Sequence, residues 1–231
     1  MSFAGSSRSR ILVWNLPARV CHWGFSITML GALWLGYDAD PEGNLFKAHM
    51  LCGILACWFL FVRILLGFFG GRYLRWRGLF FGVRVTFSYF LDVVAWRTVD
   101  FTGLNPGSAA FALAIYAAVP ALVWTGFVLE LAETWHGWLS LGVAALIGVH
   151  LLGLLLHGLR HREVTPFAMF HGKVRGIEGD ALPDQSALAG IALALVSLVF
   201  GCLLFWYFDF GSATLGLPFF PEFGFPAMQK G

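Results

Sequence analysis

The chain has 231 residues, of which 58% are hydrophobic and only 12% are charged. Soluble globular chains carry about 25% charged residues, so this composition excludes an ordinary soluble enzyme and indicates an integral membrane protein without a nucleic-acid partner. The formal net charge of +2 is small, and the distribution of the charges is more informative than their sum. The N-terminal stretch MSFAGSSRSRILVWNLPARV lacks the short apolar core of a signal peptide, so no cleavage is expected.

Apolar runs recur along the chain at lengths that suit a bilayer, which requires about 20 mainly apolar residues per helix. Five runs qualify, at residues 17–37, 45–69, 108–129, 134–159 and 186–208. Asn15 predicts a cap for the first helix, and Pro120 predicts a kink in the third. Between the second and third runs, residues 72–97 are aromatic and broken by arginines, which predicts an interfacial amphipathic segment. The connection after the fourth run is predicted to be a polar loop, and the C-terminal tail to be irregular.

Lysine and arginine are concentrated on one side of this predicted helical bundle. The N-terminus and the second-to-third and fourth-to-fifth connections carry Arg8, Arg10, Arg19, Arg72, Arg75, Arg77, Arg84, Arg97, Arg160, Arg162, Lys173 and Arg175, whereas the other side has Lys47 and Lys230. The positive-inside rule therefore predicts a cytoplasmic N-terminus and, after five spans, a periplasmic C-terminus in a bacterial inner membrane. The predicted outer loops are acidic, with Asp38, Asp40, Glu42, Glu130 and Glu133.

Histidines within apolar spans are costly to bury and are functional candidates by default. His136 and His150 stand fourteen residues apart in the fourth span. This interval corresponds to roughly 21 Å of rise and almost four full turns, so both imidazoles lie on one helix face at two depths. His49 begins the second span at the outer depth, and His22 lies near the inner end of the first. Two imidazoles at each of two levels are the ligands that two haems stacked across a bilayer need.

These histidines have other possible roles in a membrane protein. A lone membrane histidine is more often bonded to a neighbouring helix, but two matched pairs at matched depths argue against that reading. A proton relay would need buried carboxylates, and the spans contain none. A zinc or copper site would need its ligands within a few ångströms of one another, whereas these histidines lie at two levels roughly 20 Å apart. His157 follows His150 by seven residues and competes with it for the inner iron; His150 is favoured.

Haem propionates need cationic or donor partners at the membrane edge. Arg63 follows His49 by fourteen residues and therefore shares its face at the inner depth. Arg19 is a second candidate, and His157 is a third if His150 takes the iron. Snorkelling of Arg63 to the cytoplasmic interface is the competing reading. The four cysteines form no C-x-x-C-H motif, so covalent haem attachment is excluded.

The stretches VWNLPARVCHW, AHMLCGILACWFLFVRILLGF and WHGWLSLGVAALIGVHLLGLLLHGLRHR resemble the prokaryotic cytochrome b561 family, which includes the cytochrome b subunits of nickel–iron hydrogenases. The resemblance covers residues 11–176 and implies a four-helix core with two b-type haems. By matching positions it implies His22, His49, His136 and His150 as ligands. The chain is thus predicted to be an all-α membrane protein with a dihaem domain at residues 1–176 and a fifth helix and periplasmic tail at residues 177–231.

The resemblance implies electron transfer between the quinone pool, ubiquinone or menaquinone, and a partner protein, with no catalytic residue beyond the haem ligands. The leading interpretation pairs His49 with His136 and His22 with His150, and takes a periplasmic c-type cytochrome as partner. The alternatives are an anchor subunit of a hydrogenase-like oxidoreductase, a stand-alone quinol oxidase for a small oxidant, and a transporter or structural anchor whose histidines only link helices.

Overall fold

The structure, a computed structural model, describes residues 9–37, 39–40, 43–97, 99, 101–127, 133–161, 167–183, 186–211, 214–215 and 223–224. A helix occupies each of the five predicted apolar runs: α1 (Leu16–Gly36), α2 (Asn44–Phe69), α4 (Pro106–Phe127), α5 (Glu133–His161) and α7 (Ala187–Tyr207). Helices are expected here because a spanning segment must satisfy its backbone hydrogen bonds internally in a bilayer. Two shorter helices are α3 (Val83–Val94) and α6 (Ala168–His171).

Four of the helices in the described residues are long and apolar enough to cross a membrane: Asn44–Phe69, Pro106–Gly126, Thr134–Arg160 and Ala187–Tyr207. The chain is therefore a mostly helical, multi-pass membrane protein. α1 is not among the four, because Arg19 and His22 lower its hydropathy. That α1 spans the membrane, that the chain has five spans and that the N-terminus is cytoplasmic stay predictions.

The N-terminal ends of two helices have the same construction. The backbone N–H of Ala18 donates to Asn15 Oδ1 at 3.2 Å, and that of Ser108 donates to Asn105 Oδ1 at 2.7 Å. Each asparagine stands just before its helix and accepts from the third helical residue, which satisfies a donor that the helix itself leaves unpaired. Pro17 and Pro106 lie in the first turn of these helices. Proline has no backbone N–H, and in the first turn such an N–H would have no partner within the helix. The predicted cap at Asn15 is thus confirmed.

The chain separates into two compact units. The first comprises Met1–Val20, Arg63–Ala114 and Leu146–Ile191. In it β1 (Ser9–Leu12) pairs antiparallel with β2 (Lys173–Gly176), so that Arg10 lies opposite Arg175 and Leu12 opposite Lys173. A buried core of mainly aliphatic side chains includes one residue of β1: Ile11, Val13, Trp14, Ala18, Leu74 and Ala168.

The second unit comprises Cys21–Val62, Ile115–Ala145 and Ala192–Gly231. In this unit α7 packs on α2 through a cluster of Leu51, Leu204 and Phe208. Trp58 Nε1 donates to the buried hydroxyl of Ser197 at 2.9 Å, and the Trp58 ring stacks on Phe200 with centroids 4.6 Å apart. The unit also holds β3 (Phe208–Asp209), β4 (Thr214–Leu215) and β5 (Phe223–Gly224), which form one antiparallel sheet in that order.

The structure differs from the sequence prediction in both non-helical regions. The connection after α5 is not a plain loop, because it contains α6, β2 and a 3₁₀ turn at Glu178–Asp180. The described parts of the tail include β4 and β5, although an irregular tail is predicted. The interfacial segment at 72–97 contains a 3₁₀ turn and α3, whose Val83, Phe87 and Val94 are exposed. The interfacial position of this segment stays a prediction. The division of the chain at residue 176, between the dihaem domain and the fifth helix with its tail, also stays a prediction.

Candidate metal centre

His49 and His136 are brought together in the second unit by α2 and α5. Their ring centroids are 6.0 Å apart and their planes are inclined at 81°. Two imidazoles that bind one ion from opposite sides, each through a nitrogen about 2.0 Å away, have centroids roughly 6 Å apart. The separation of this pair therefore fits a single metal ion held between the two rings.

The hydrogen bonds of the two rings fix which nitrogen faces the ion. His49 Nδ1 lies 2.7 Å from the carbonyl oxygen of Ala32, and His136 Nδ1 lies 3.1 Å from that of Leu122. A carbonyl can only accept, so each Nδ1 carries the proton and donates it. Each Nε2 then keeps its lone pair for a metal, which is the arrangement that most metal-binding histidines show. This chemistry fits axial ligation of a haem iron.

His136 has a second neighbour that its partner lacks. Thr125 Oγ1 lies 3.2 Å from His136 Nδ1, while the Thr125 hydroxyl donates to the carbonyl of Ala121 at 2.9 Å. The hydroxyl oxygen is thus free to accept from the imidazole N–H. His49 instead stacks on Phe46, with ring centroids 5.6 Å apart. The two candidate ligands are therefore oriented by different groups.

Two glycines make room for these rings. A Cβ at Gly36 would lie 2.5 Å from His49 Nδ1, and one at Gly126 would lie 3.3 Å from His136 Cε1. Only glycine at 36 lets α1 approach His49 closely enough for the Ala32 carbonyl to accept its proton. By contrast, a Cβ at Gly53, one turn after His49, would meet no protein atom within 4 Å. That open space on the His49 face of α2 is consistent with a flat macrocycle beside the helix.

The two histidines predicted to bind the inner haem, His22 and His150, belong to different units. His22 lies in the second unit, where its ring packs edge-on against Trp23 at 5.5 Å. His150 lies in the first unit, where its ring stacks on Phe111 with centroids 4.2 Å apart and planes inclined at 13°. His157 is half-buried seven residues further along α5. The pairing of His22 with His150, and the choice of His150 over His157, stay predictions.

The two arginines predicted for propionates are both engaged by the backbone. Arg63 Nη1 donates to the carbonyl of Leu74 at 3.0 Å, and Arg19 Nη1 donates to that of Phe170 at 2.7 Å. Both lie in the first unit, where these bonds hold their guanidinium groups in place. A guanidinium has five N–H donors, and each of these hydrogen bonds uses one of them. Their assignment to propionates stays a prediction.

Three of the acidic residues predicted for the outer loops, Asp38, Glu42 and Glu130, lie outside the described residues. Within the described residues no group of three or more His, Cys, Asp or Glu side chains could hold a bare metal ion. The sequence missed Thr125 and Gly36 as supports for the ligands. A hydroxyl in an apolar span at the depth of His136 was the available signal for Thr125.

Comparison with known proteins gives one match. The family model described as prokaryotic cytochrome b561 matches residues 13–172, which is more than half of the chain. The matched segment contains all four predicted histidine ligands and ends before α7. No curated protein and no solved structure matches the chain significantly.

Proposed function

The chain belongs to the prokaryotic cytochrome b561 family, and from that membership we propose that it is a dihaem cytochrome that moves electrons across the inner membrane. Membership makes it a membrane b-type cytochrome of electron transfer that binds haem b. The finer proposal is that two haems are bound by paired histidines, the outer by His49 and His136 and the inner by His22 and His150. The observation that carries it is the 6.0 Å separation of the His49 and His136 rings.

Haem bound between these rings supplies one-electron iron chemistry. The residues determine what kind of chemistry follows. If both imidazoles bound the iron, they would leave no position for oxygen or peroxide, so this pair of residues favours electron transfer over oxygen activation. The Ala32 and Leu122 carbonyls accept from the Nδ1–H of each ring, so each Nε2 would be left to bind the iron.

Arg63 and Arg19 are proposed to hold propionates of the inner haem, with His157 as a third donor. Each arginine is fixed by one backbone carbonyl in the first unit. A guanidinium held in this way loses less conformational freedom when it binds a carboxylate. Because both groups lie in the predicted cytoplasmic half, they would neutralise propionates at that edge of the membrane.

The proposed partners are the quinone pool, ubiquinone or menaquinone, and a periplasmic c-type cytochrome. A basic c-type cytochrome would suit the acidic outer loops that the sequence predicts. The fifth helix, α7, lies beyond the matched segment and packs on α2 through Trp58 and Ser197. It contributes no predicted ligand, so its proposed role is to support the helix that carries His49.

The function is tested with the purified protein in detergent under anaerobic conditions. A quinol should reduce b-type haem, seen in the reduced-minus-oxidised spectrum, and an added oxidised c-type cytochrome should reoxidise it. His49→Ala and His136→Ala should each abolish the reoxidation step, because the outer haem is the proposed exit. Reoxidation at the wild-type rate in both variants would overturn the proposal that electrons leave the protein through the outer haem. Co-purification with a metalloenzyme subunit would instead support the hydrogenase-type anchor.

A further inference from the structure

A cluster of basic side chains lies in the first unit around the end of α6 and the β1–β2 sheet. His171 ends α6, and Gly172 follows it in the left-handed conformation with φ 80°. Arg19 reaches this turn from α1, because its Nη1 donates to the Phe170 carbonyl at 2.7 Å. A Cβ at Gly172 would lie 3.5 Å from Arg19 Nε, which places the guanidinium against the same turn.

Two donors in this cluster are buried without an acceptor. His171 Nδ1 accepts from the backbone N–H of Lys173 at 3.0 Å, so in the neutral ring the proton is on Nε2. The atoms His171 Nε2 and Arg19 Nε are both buried, and neither has a hydrogen-bond partner among the described residues. A buried N–H that lacks an acceptor costs about 1–3 kcal/mol, so an acceptor brought by a ligand would be stabilised here.

Three positively charged side chains lie on one face of the β1–β2 sheet. Arg10 and Arg175 lie directly opposite each other across the β1–β2 ladder, and Lys173 shares their face of the sheet. Two acidic side chains of this unit, Asp92 and Asp180, form ion pairs with Arg97 and Arg72.

The environment of His171 is in accord with this arrangement. Burial, followed by the charges of Arg10, Arg19 and Lys173, lowers the pKa of His171 below its ordinary value of 6.5. The same three cations are therefore close enough to act on one imidazole. An anion that bound at this turn would be attracted by all of them and would receive two buried N–H donors.

We propose that Arg19, His171 and the cations of the β1–β2 sheet form a binding site for a phosphate group. A phosphate has several acceptor oxygens and up to two negative charges, which matches the two unpaired donors and the positive charges of Arg10, Arg19 and Lys173. The side of the molecule that carries the site is predicted to be cytoplasmic, where basic pockets between membrane helices bind anionic headgroups. The source of the phosphate is either a phospholipid headgroup or a soluble phosphate.

The test uses the full-length, haem-loaded protein in detergent and native mass spectrometry. Phosphatidylglycerol, zwitterionic phosphatidylcholine and inorganic phosphate are titrated separately. Arg19→Gln and His171→Phe remove one orphan donor each, and Arg77→Gln changes an exposed arginine of the same unit as the matched control. Circular dichroism checks that each variant is folded. If Arg19→Gln misfolds, His171→Phe still tests the site, because it removes the other unpaired donor.

The site predicts that phosphatidylglycerol or phosphate binds and that both donor variants weaken this binding by about tenfold, while Arg77→Gln leaves it unchanged. Lipid bound in preference to free phosphate would identify the headgroup as the source, and the reverse result would identify a soluble phosphate. Absence of both ligands overturns the proposal, as does equal weakening by Arg77→Gln. It is also overturned if Arg19→Gln alters the haem spectrum but not phosphate binding, since Arg19 then serves a propionate.

Discussion

Thr125 is the residue that distinguishes the environment of His136 from that of His49. Its hydroxyl oxygen lies 3.2 Å from His136 Nδ1, in addition to the Leu122 carbonyl. A hydrogen bond from Nδ1–H makes the imidazole a more basic ligand, and a more basic ligand favours the oxidised metal. Thr125→Val should therefore raise the midpoint potential of the outer haem by a few tens of millivolts, on the order of 40 mV for about 1 kcal/mol.

Spectroelectrochemical titration measures this shift. Thr28→Val is the matched control, because the Thr28 hydroxyl donates to the Gly24 carbonyl within α1 and does not contact either ring of the pair. A lowered potential in Thr125→Val, or an equal shift in the control, would contradict the assignment of Thr125 as a positioning residue.

His171 gives a second prediction at this scale. Its pKa is lowered by burial and by Arg10, Arg19 and Lys173. The unfolded chain then binds a proton more readily than the folded chain between the lowered pKa and 6.5, so this residue makes the protein less stable as the pH falls through that window. Phosphate at the proposed site should raise the pKa towards or above 6.5.

Nuclear magnetic resonance of the histidine rings follows this titration, with His171→Phe assigning the signal. An unchanged pKa when saturating phosphatidylglycerol or phosphate is added would argue that no anion reaches the ring.

At the scale of single helices, the face of α2 that carries His49 has a gap. Gly53 lies one turn from His49, and a Cβ there would meet no protein atom within 4 Å. Gly53→Ala should leave the helical content intact yet lower the occupancy of the outer haem, because the methyl group would occupy space proposed for the macrocycle. Gly142→Ala, where a Cβ also meets no atom, is the matched control on α5.

Haem content per chain is compared for the two variants after reconstitution. Equal, full loading of Gly53→Ala and Gly142→Ala would show that the outer haem does not lie against this part of α2.

The packing of α7 on α2 yields a prediction about stability rather than haem. Ser197 is buried, with 8% of its surface exposed, and accepts from Trp58 Nε1. Ser197→Ala leaves that N–H without its acceptor and should lower the free energy of unfolding by about 1–3 kcal/mol. The haem spectrum should not change, because neither residue contacts the proposed ligand rings.

Thermal unfolding followed by circular dichroism measures the loss, with exposed Ser88→Ala as the control. A change in the haem absorption of Ser197→Ala would contradict this prediction, because it would show that α7 takes part in haem binding.

For the whole molecule, the sequence predicts the helices well because apolar length is a direct consequence of bilayer thickness. It also places His49 and His136 at one depth, and the structure brings their rings to 6.0 Å. The β1–β2 pairing is invisible in the sequence, because SRIL and KVRG are four-residue segments more than 150 residues apart with no strong strand pattern. Thr125 and the Ala32 carbonyl were likewise missed, since contacts between helices depend on their rotation and not on composition.

The central claim is that one chain binds two haems at two levels. The most direct measurement is the pyridine haemochrome assay on purified protein, with chain concentration from amino-acid analysis. We expect about two haems b per chain in the wild type and about one in both His49→Ala and His136→Ala, because each variant removes a ligand of the outer haem only. One haem or none in the wild type, or two in either variant, would contradict the claim.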